Sequence, residues 1–115
     1  MTILLVVLDD DVRDLIRRML ARSDRQVLVA ADEAEALDVA DAAEIDLLVT
    51  EVAPSVGGRS IAERLVVRQP GLPVLYVSGW FDHPDFAELK GEAIVRMPFS
   101  HEELTGAIDA VLRGA

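Results

Sequence analysis

Short, unbroken apolar runs alternate with segments of helical period along this chain, and that alternation restricts its fold more than any other feature. Residues 3–8 are apolar throughout, as a central strand covered on both faces requires. Val12, Leu15, Ile16, Met19 and Leu20 then recur at helical spacing and form one stripe. Residues 26–30 read as a short strand, and residues 34–42 as an Ala-rich acidic helix with Asp32 as its N-cap. A strand over 45–50 follows. Ser60 is positioned to cap a helix carrying Ile61, Ala62, Leu65 and Val66, which Gln69, Pro70 and Gly71 stop. A fourth strand spans 74–77, and a short helix runs from Asp82 or His83 through Leu89. Gly91 breaks that helix before a strand over 93–96. Ser100 and Glu103 form a capping box, and the last helix places Leu104, Ala107, Ile108, Val111 and Leu112 on one stripe. Five βα units predict a doubly wound α/β fold, a parallel sheet with helices on both faces. Ligands of such folds lie at the carboxyl ends of the strands.

Composition narrows the function classes. The 115 residues suit one domain, and with 51% hydrophobic but only 4% aromatic residues the core must be built from Leu, Val, Ala and Ile. The absence of cysteine excludes disulfides and thiolate zinc sites. The apolar start is too short to span a bilayer and lacks a basic leader, so a cytoplasmic protein without a membrane role is expected. A net charge of −10 disfavours nucleic acid, which needs a basic patch. The charge is uneven: residues 31–51 hold eight acids and no Lys or Arg, whereas residues 13–25 hold five arginines. These segments are either two solvated helix faces or a polar partner surface. His83 and His101 lack the matched spacing of a metal pair. Neither a Gly-rich phosphate loop nor a nucleophile elbow is present, and no enzyme is expected.

Three strand ends carry a more specific signal. The run from Ile45 to Glu51 ends on one carboxylate and is followed by Pro54, Gly57 and Gly58. The run from Val74 to Ser78 ends on a hydroxyl followed by Gly79. The run from Ala93 to Met97 is followed by Pro98 and Phe99. In this order and spacing they resemble the bacterial response-regulator receiver domain, over nearly the whole chain. The resemblance implies a flavodoxin-like fold with strand order 2-1-3-4-5, five helices and a cis peptide between Met97 and Pro98. A receiver accepts a phosphoryl group on an aspartate ending its third strand. Two acids after the first strand hold Mg²⁺, and a Ser or Thr after the fourth strand and a Lys after the fifth contact the phosphoryl oxygens. Phosphoryl transfer needs this positioned nucleophile and these cations.

Most of those groups are replaced here. Aligned without a gap, the metal-holding acids fall on Val7 and Leu8, and only the next position, Asp9, is acidic. A gapped alignment lets Asp9 and Asp10 serve as the pair instead. Acids there also suit a helix start. Glu51 takes the acceptor's place, and Pro54 arrives one residue early. Glu51 either imitates, weakly, a permanently modified aspartate or is an ordinary polar strand end. Ser78 keeps the hydroxyl position, Met97 replaces the Lys, and Ile94 occupies the switch-aromatic position.

The expectation is a degenerate, stand-alone receiver without an output domain and without a cofactor. It acts through protein contacts with a histidine kinase, a phosphotransfer protein or another regulator. Its candidate contact face, which could also support a homodimer, is residues 83–113. Trp80 and Phe81 either pack on the sheet edge or anchor a partner. Two alternatives stand beside it: a slow phosphoacceptor using Glu51 with Mg²⁺ on Asp9 and Asp10, and a small-ligand binder of flavodoxin-like architecture.

Overall fold

The computed structural model describes residues 1–21, 25–51, 58–78, 93–96 and 98–113. The elements are β1 (Thr2–Val6), α1 (Asp10–Leu20), β2 (Gln26–Ala30), α2 (Glu33–Ala42), β3 (Leu47–Glu51), α3 (Gly58–Arg68), β4 (Val74–Ser78), β5 (Ile94–Arg96) and α4 (His101–Leu112). All neighbouring strands pair in parallel, in the order β2-β1-β3-β4-β5 that the resemblance implied. Four helices lie among the described residues; the fifth, expected to end at Leu89, falls outside them.

Strand alternation sends successive side chains to opposite faces of the sheet. Leu4, Val6, Leu48 and Tyr76 face one side, where α2 contributes Ala36 and Ala40 and α3 contributes Ile61 and Leu65. Ile3, Leu5, Leu47, Val49, Leu75 and Val77 face the other, under Ile16 and Leu20 of α1 and Leu104 and Ile108 of α4. Coverage on both faces is why the central strands read as continuous apolar runs.

Several expected details shift. β1 ends at Val6 rather than at residue 8, and β3 begins at Leu47. Helix α3 begins at Gly58, so Ser60 lies inside its first turn instead of capping it. Leu15 is 55% exposed, and Val66 and Leu112 are 36% and 38% exposed. A helix lying on a flat sheet buries a narrow stripe, and each residue step turns the side chain by about 100°. These three residues lie on the flanks of their stripes.

The helix ends are well capped. Asp9 accepts the Val12 N–H at 2.9 Å and Asp32 accepts that of Glu35 at 2.9 Å. Ser100 accepts from Glu103 at 3.0 Å while the Glu103 carboxylate accepts the Ser100 N–H at 3.1 Å, the expected capping box. At the other end of α1, His101 Nε2 lies 3.1 Å from the Met19 carbonyl. A carbonyl only accepts, so this nitrogen must carry the hydrogen. The turn after α3 is made by Gly71, whose φ of +84° favours glycine.

The arginines of α1 pair within that helix, and two acids of α2 pair across to α3. Arg17 and Arg18 both bond Asp14, and these contacts, Arg17 first, hold its carboxyl below the usual carboxylate range. Arg64 of α3 pairs with Glu33 of α2, and Arg68 with Asp41 at 3.0 Å. Exposed pairs of this kind contribute little stability.

Gln69 closes the passage from α2 to β3. Its Nε2 donates to Ala40 O at 2.9 Å and Ala43 O at 3.0 Å, and its Oε1 accepts the Ile45 N–H at 2.8 Å. Replacement Gln69→Leu should lower unfolding free energy by about 2 kcal/mol, because three backbone groups lose their partner. Thr50 is the opposite case: it is fully buried, and its hydroxyl has no hydrogen-bond partner. Thr50→Val should raise stability by about 1 kcal/mol. Urea denaturation of both variants checks these two signs.

Candidate functional site

The carboxyl ends of β1 and β3 meet beside the first turn of α1. The pairing of β1 with β3 ends at Val6 and Thr50. Beyond it the two N–H groups of the β1 extension turn to opposite neighbours. Val7 N–H donates to Ala30 O of β2 at 3.3 Å, and Leu8 N–H donates to the Glu51 carboxylate at 2.6 Å. Glu51 is half-buried at the end of β3, opposite Val77 of β4. It shares the sheet face of Val49 by strand alternation, so its side chain extends toward the α1 side. A charged acceptor makes this a strong bond.

Val7 and Leu8 part company. The Val7 side chain is fully buried in the core under α1 and α4, whereas Leu8 is 49% exposed. Asp9 is the N-cap of α1, and Asp10 forms an ion pair with Arg13. Asp11 is exposed. Among the described residues no group of three or more His, Cys, Asp or Glu side chains is placed to hold a metal ion.

Arg13, the first of the five arginines of residues 13–25, completes the cluster. Its Nη1 donates to Val7 O at 2.9 Å, with Leu8 O at 3.4 Å, and its Nη2 bonds Asp10. The side chain is only 18% exposed. The sequence signal for Arg13 was its i,i+3 spacing from Asp10 in the first turns of α1. Its main partners are backbone carbonyls, which leave no mark in a sequence.

The remaining positions are spread along the sheet edge. Ser78 ends β4 opposite Arg96 of β5. Ile94 is half-buried and packs on the other face, in the core beneath α2 and α3. Met97, with its peptide to Pro98, and Val52, Ala53, Pro54, Trp80, Phe81 and residues 83–89 lie outside the described residues. An open groove of about 700 Å³ lies at the amino ends of β3 and β4, away from Glu51, and is lined by Asp41, Glu44, Asp46, Gln69 and Leu72 among others.

Chemically, the described part of the site is one carboxylate held by a backbone N–H, with one guanidinium held on backbone carbonyls beside it. The sequence model of the response regulator receiver domain matches residues 3–109. The alkaline phosphatase synthesis transcriptional regulatory protein PhoP of Bacillus subtilis (strain 168) is 30% identical over 115 residues, covering 95% of this chain and 48% of that protein. The chain thus spans about half the length of that relative. The receiver domain of the hybrid histidine kinase CckA superposes with a TM-score of 0.79 at 28% identity, covering 97% of this chain and 99% of that one. The chemotaxis protein CheY4 of Vibrio cholerae superposes with a TM-score of 0.83 at 22% identity, covering 96% and 97%. Among the described residues no helix is long and apolar enough to cross a membrane. With the family's fold and strand order present and its sequence model matched over residues 3–109, this chain belongs to the response regulator receiver domain family of two-component signalling.

Proposed function

We propose that this receiver signals through protein contacts without accepting a phosphoryl group, with Glu51 standing where the family's acceptor aspartate would be. One observation carries the reading: the Glu51 carboxylate is already engaged by the Leu8 N–H at 2.6 Å. A hydrogen bond from the backbone draws charge from Oε1, and the extra methylene moves the carboxylate away from an aspartate's position. Displacements of about 1 Å can cost on the order of 100-fold in rate.

The metal positions support the same conclusion. Val7 is buried hydrocarbon and Leu8 is apolar. Mg²⁺ demands several hard oxygen ligands in octahedral geometry. Asp9 and Asp10, the pair that a slow phosphoacceptor would need, are committed to the α1 cap and to Arg13. No cofactor is therefore assigned. Receivers are generally non-enzymatic modules that interact with kinases, phosphotransfer proteins or other regulators, and a partner of that kind is proposed here. The contact face is β5 and α4 within residues 83–113, which would also serve a homodimer.

Incubation with acetyl phosphate and millimolar Mg²⁺ should leave the intact mass of the protein unchanged, and a phospho-histidine donor should transfer no label. Stoichiometric, Mg²⁺-dependent modification that disappears in Glu51→Gln would overturn the reading. Mg²⁺ titration followed by backbone NMR should likewise give no saturable shift at Asp9, Asp10 and Glu51. A joint saturable shift at those three would restore the slow-phosphoacceptor alternative.

Asp9 offers an independent check. As an N-cap, Asp9→Ala should cost about 1 kcal/mol of stability and Asp9→Ser should recover most of it. A metal-dependent loss at Asp9 would instead mark it as a ligand. Partner binding should survive Glu51→Asp if the position is merely retired, and weaken if the longer carboxylate imitates a modified aspartate.

A further inference from the structure

The peptide unit joining Val7 to Leu8 is bonded at both polar ends to charged side chains. Its N–H donates to Glu51 Oε1 at 2.6 Å, and its carbonyl, that of Val7, accepts from Arg13 Nη1 at 2.9 Å. The carboxylate draws on the hydrogen and the guanidinium draws on the oxygen. Each polarises the amide in the direction that strengthens the other bond. We propose that Arg13 is the resident counter-cation of this site, coupled to Glu51 through the Val7–Leu8 peptide, so that the end of β1 and the start of α1 are held in one arrangement by the protein's own charges.

Three features support the coupling. Arg13 is largely withdrawn from water, at 18% exposed, where screening of its charge is reduced. Asp10 takes the second terminal nitrogen, which fixes the orientation of the guanidinium fork. Leu8 is 49% exposed, so apolar packing does little to fix its position. Polar bonds to its peptide must do so instead, while the buried Val7 side chain anchors the same peptide from the core side.

A bland alternative assigns Arg13 only a mechanical role, tying α1 to the sheet through Val7 O and Leu8 O. The two readings differ in whether the effect of losing Arg13 depends on Glu51. The inference stands on these hydrogen bonds and not on whether Glu51 receives a phosphoryl group. Phosphorylation assays test that earlier reading and leave this one untouched.

Hydrogen exchange of the Leu8 amide, measured by NMR at one pH in the wild type, Arg13→Met, Glu51→Gln and the double variant, provides the test. Urea-derived stabilities of each variant separate local opening from global unfolding. The wild-type Leu8 amide should be protected although it lies beyond the end of β1. Glu51→Gln should speed its exchange about tenfold, through loss of the charge on the acceptor. Arg13→Met should speed it roughly fivefold in the wild type but less than about twofold when Glu51 is already Gln. Equal acceleration in both backgrounds would overturn the coupling and leave Arg13 as a mechanical tie. An unprotected wild-type Leu8 amide would overturn it as well. Should Arg13→Met fail to fold, Arg13→Gln removes the charge but keeps an amide donor, and the same dependence on Glu51 is required of it.

Discussion

Burial of the sheet on both faces governs everything else in this molecule. Ile3, Leu4, Leu5, Leu47, Leu48 and Val49 are fully buried in the two central strands, so no polar side chain can act from the middle of the sheet. Thr50 shows the difficulty, since its hydroxyl sits there without a partner. Chemistry is displaced to the strand ends, where the backbone ladder stops. Each N–H and C=O released there must find another partner. The candidate site is therefore also the place where the fold solves its own hydrogen-bonding problem.

Side chains solve it at both ends of the sheet. At the amino end, a neutral amide, Gln69, satisfies two carbonyls and one N–H between α2 and β3. At the carboxyl end, the corresponding work at β1 is done by ions: Glu51 takes the Leu8 N–H and Arg13 takes the Val7 carbonyl. A carboxylate serves the amino end as well, where Asp46 accepts the Thr2 N–H at 2.7 Å. Only the carboxyl end adds a guanidinium on a backbone carbonyl, that of Arg13.

Much of this was legible in the sequence. Alternation of apolar runs and helical stripes is a direct image of a covered parallel sheet, and Asp32 and the Ser100–Glu103 pair announced their helix starts. Periodicity identifies a helix without setting the width of its buried stripe, so Leu15, Val66 and Leu112 were placed too far inward. Ser60 was a plausible cap whose neighbours Gly57 and Gly58 carried no competing signal, and the helix begins at Gly58. The acids at 9–11 left two alternatives open because a helix cap, an ion pair and a metal ligand all ask for the same residue type. Arg13 was missed because its partners at Val7 and Leu8 are backbone atoms, identical in every sequence.

The proposed retirement of the site also has an electrostatic logic that links these residues. A cluster of three acids, as in the receiver pattern, calls for a divalent ion that comes and goes with its concentration. With hydrocarbon at Val7 and Leu8, the described end of β1 retains one carboxylate contact, at Glu51. Arg13 pairs directly with Asp10 and reaches Glu51 through the Val7–Leu8 peptide. Arg13 is tethered to α1 and cannot exchange with solvent ions as a metal does. Asp10, which pairs with it from the exposed side, keeps the fork from turning outward. The longer side chain of Glu51 is what reaches the Leu8 N–H from β3; an aspartate, shorter by one methylene, would leave that bond stretched or unmade.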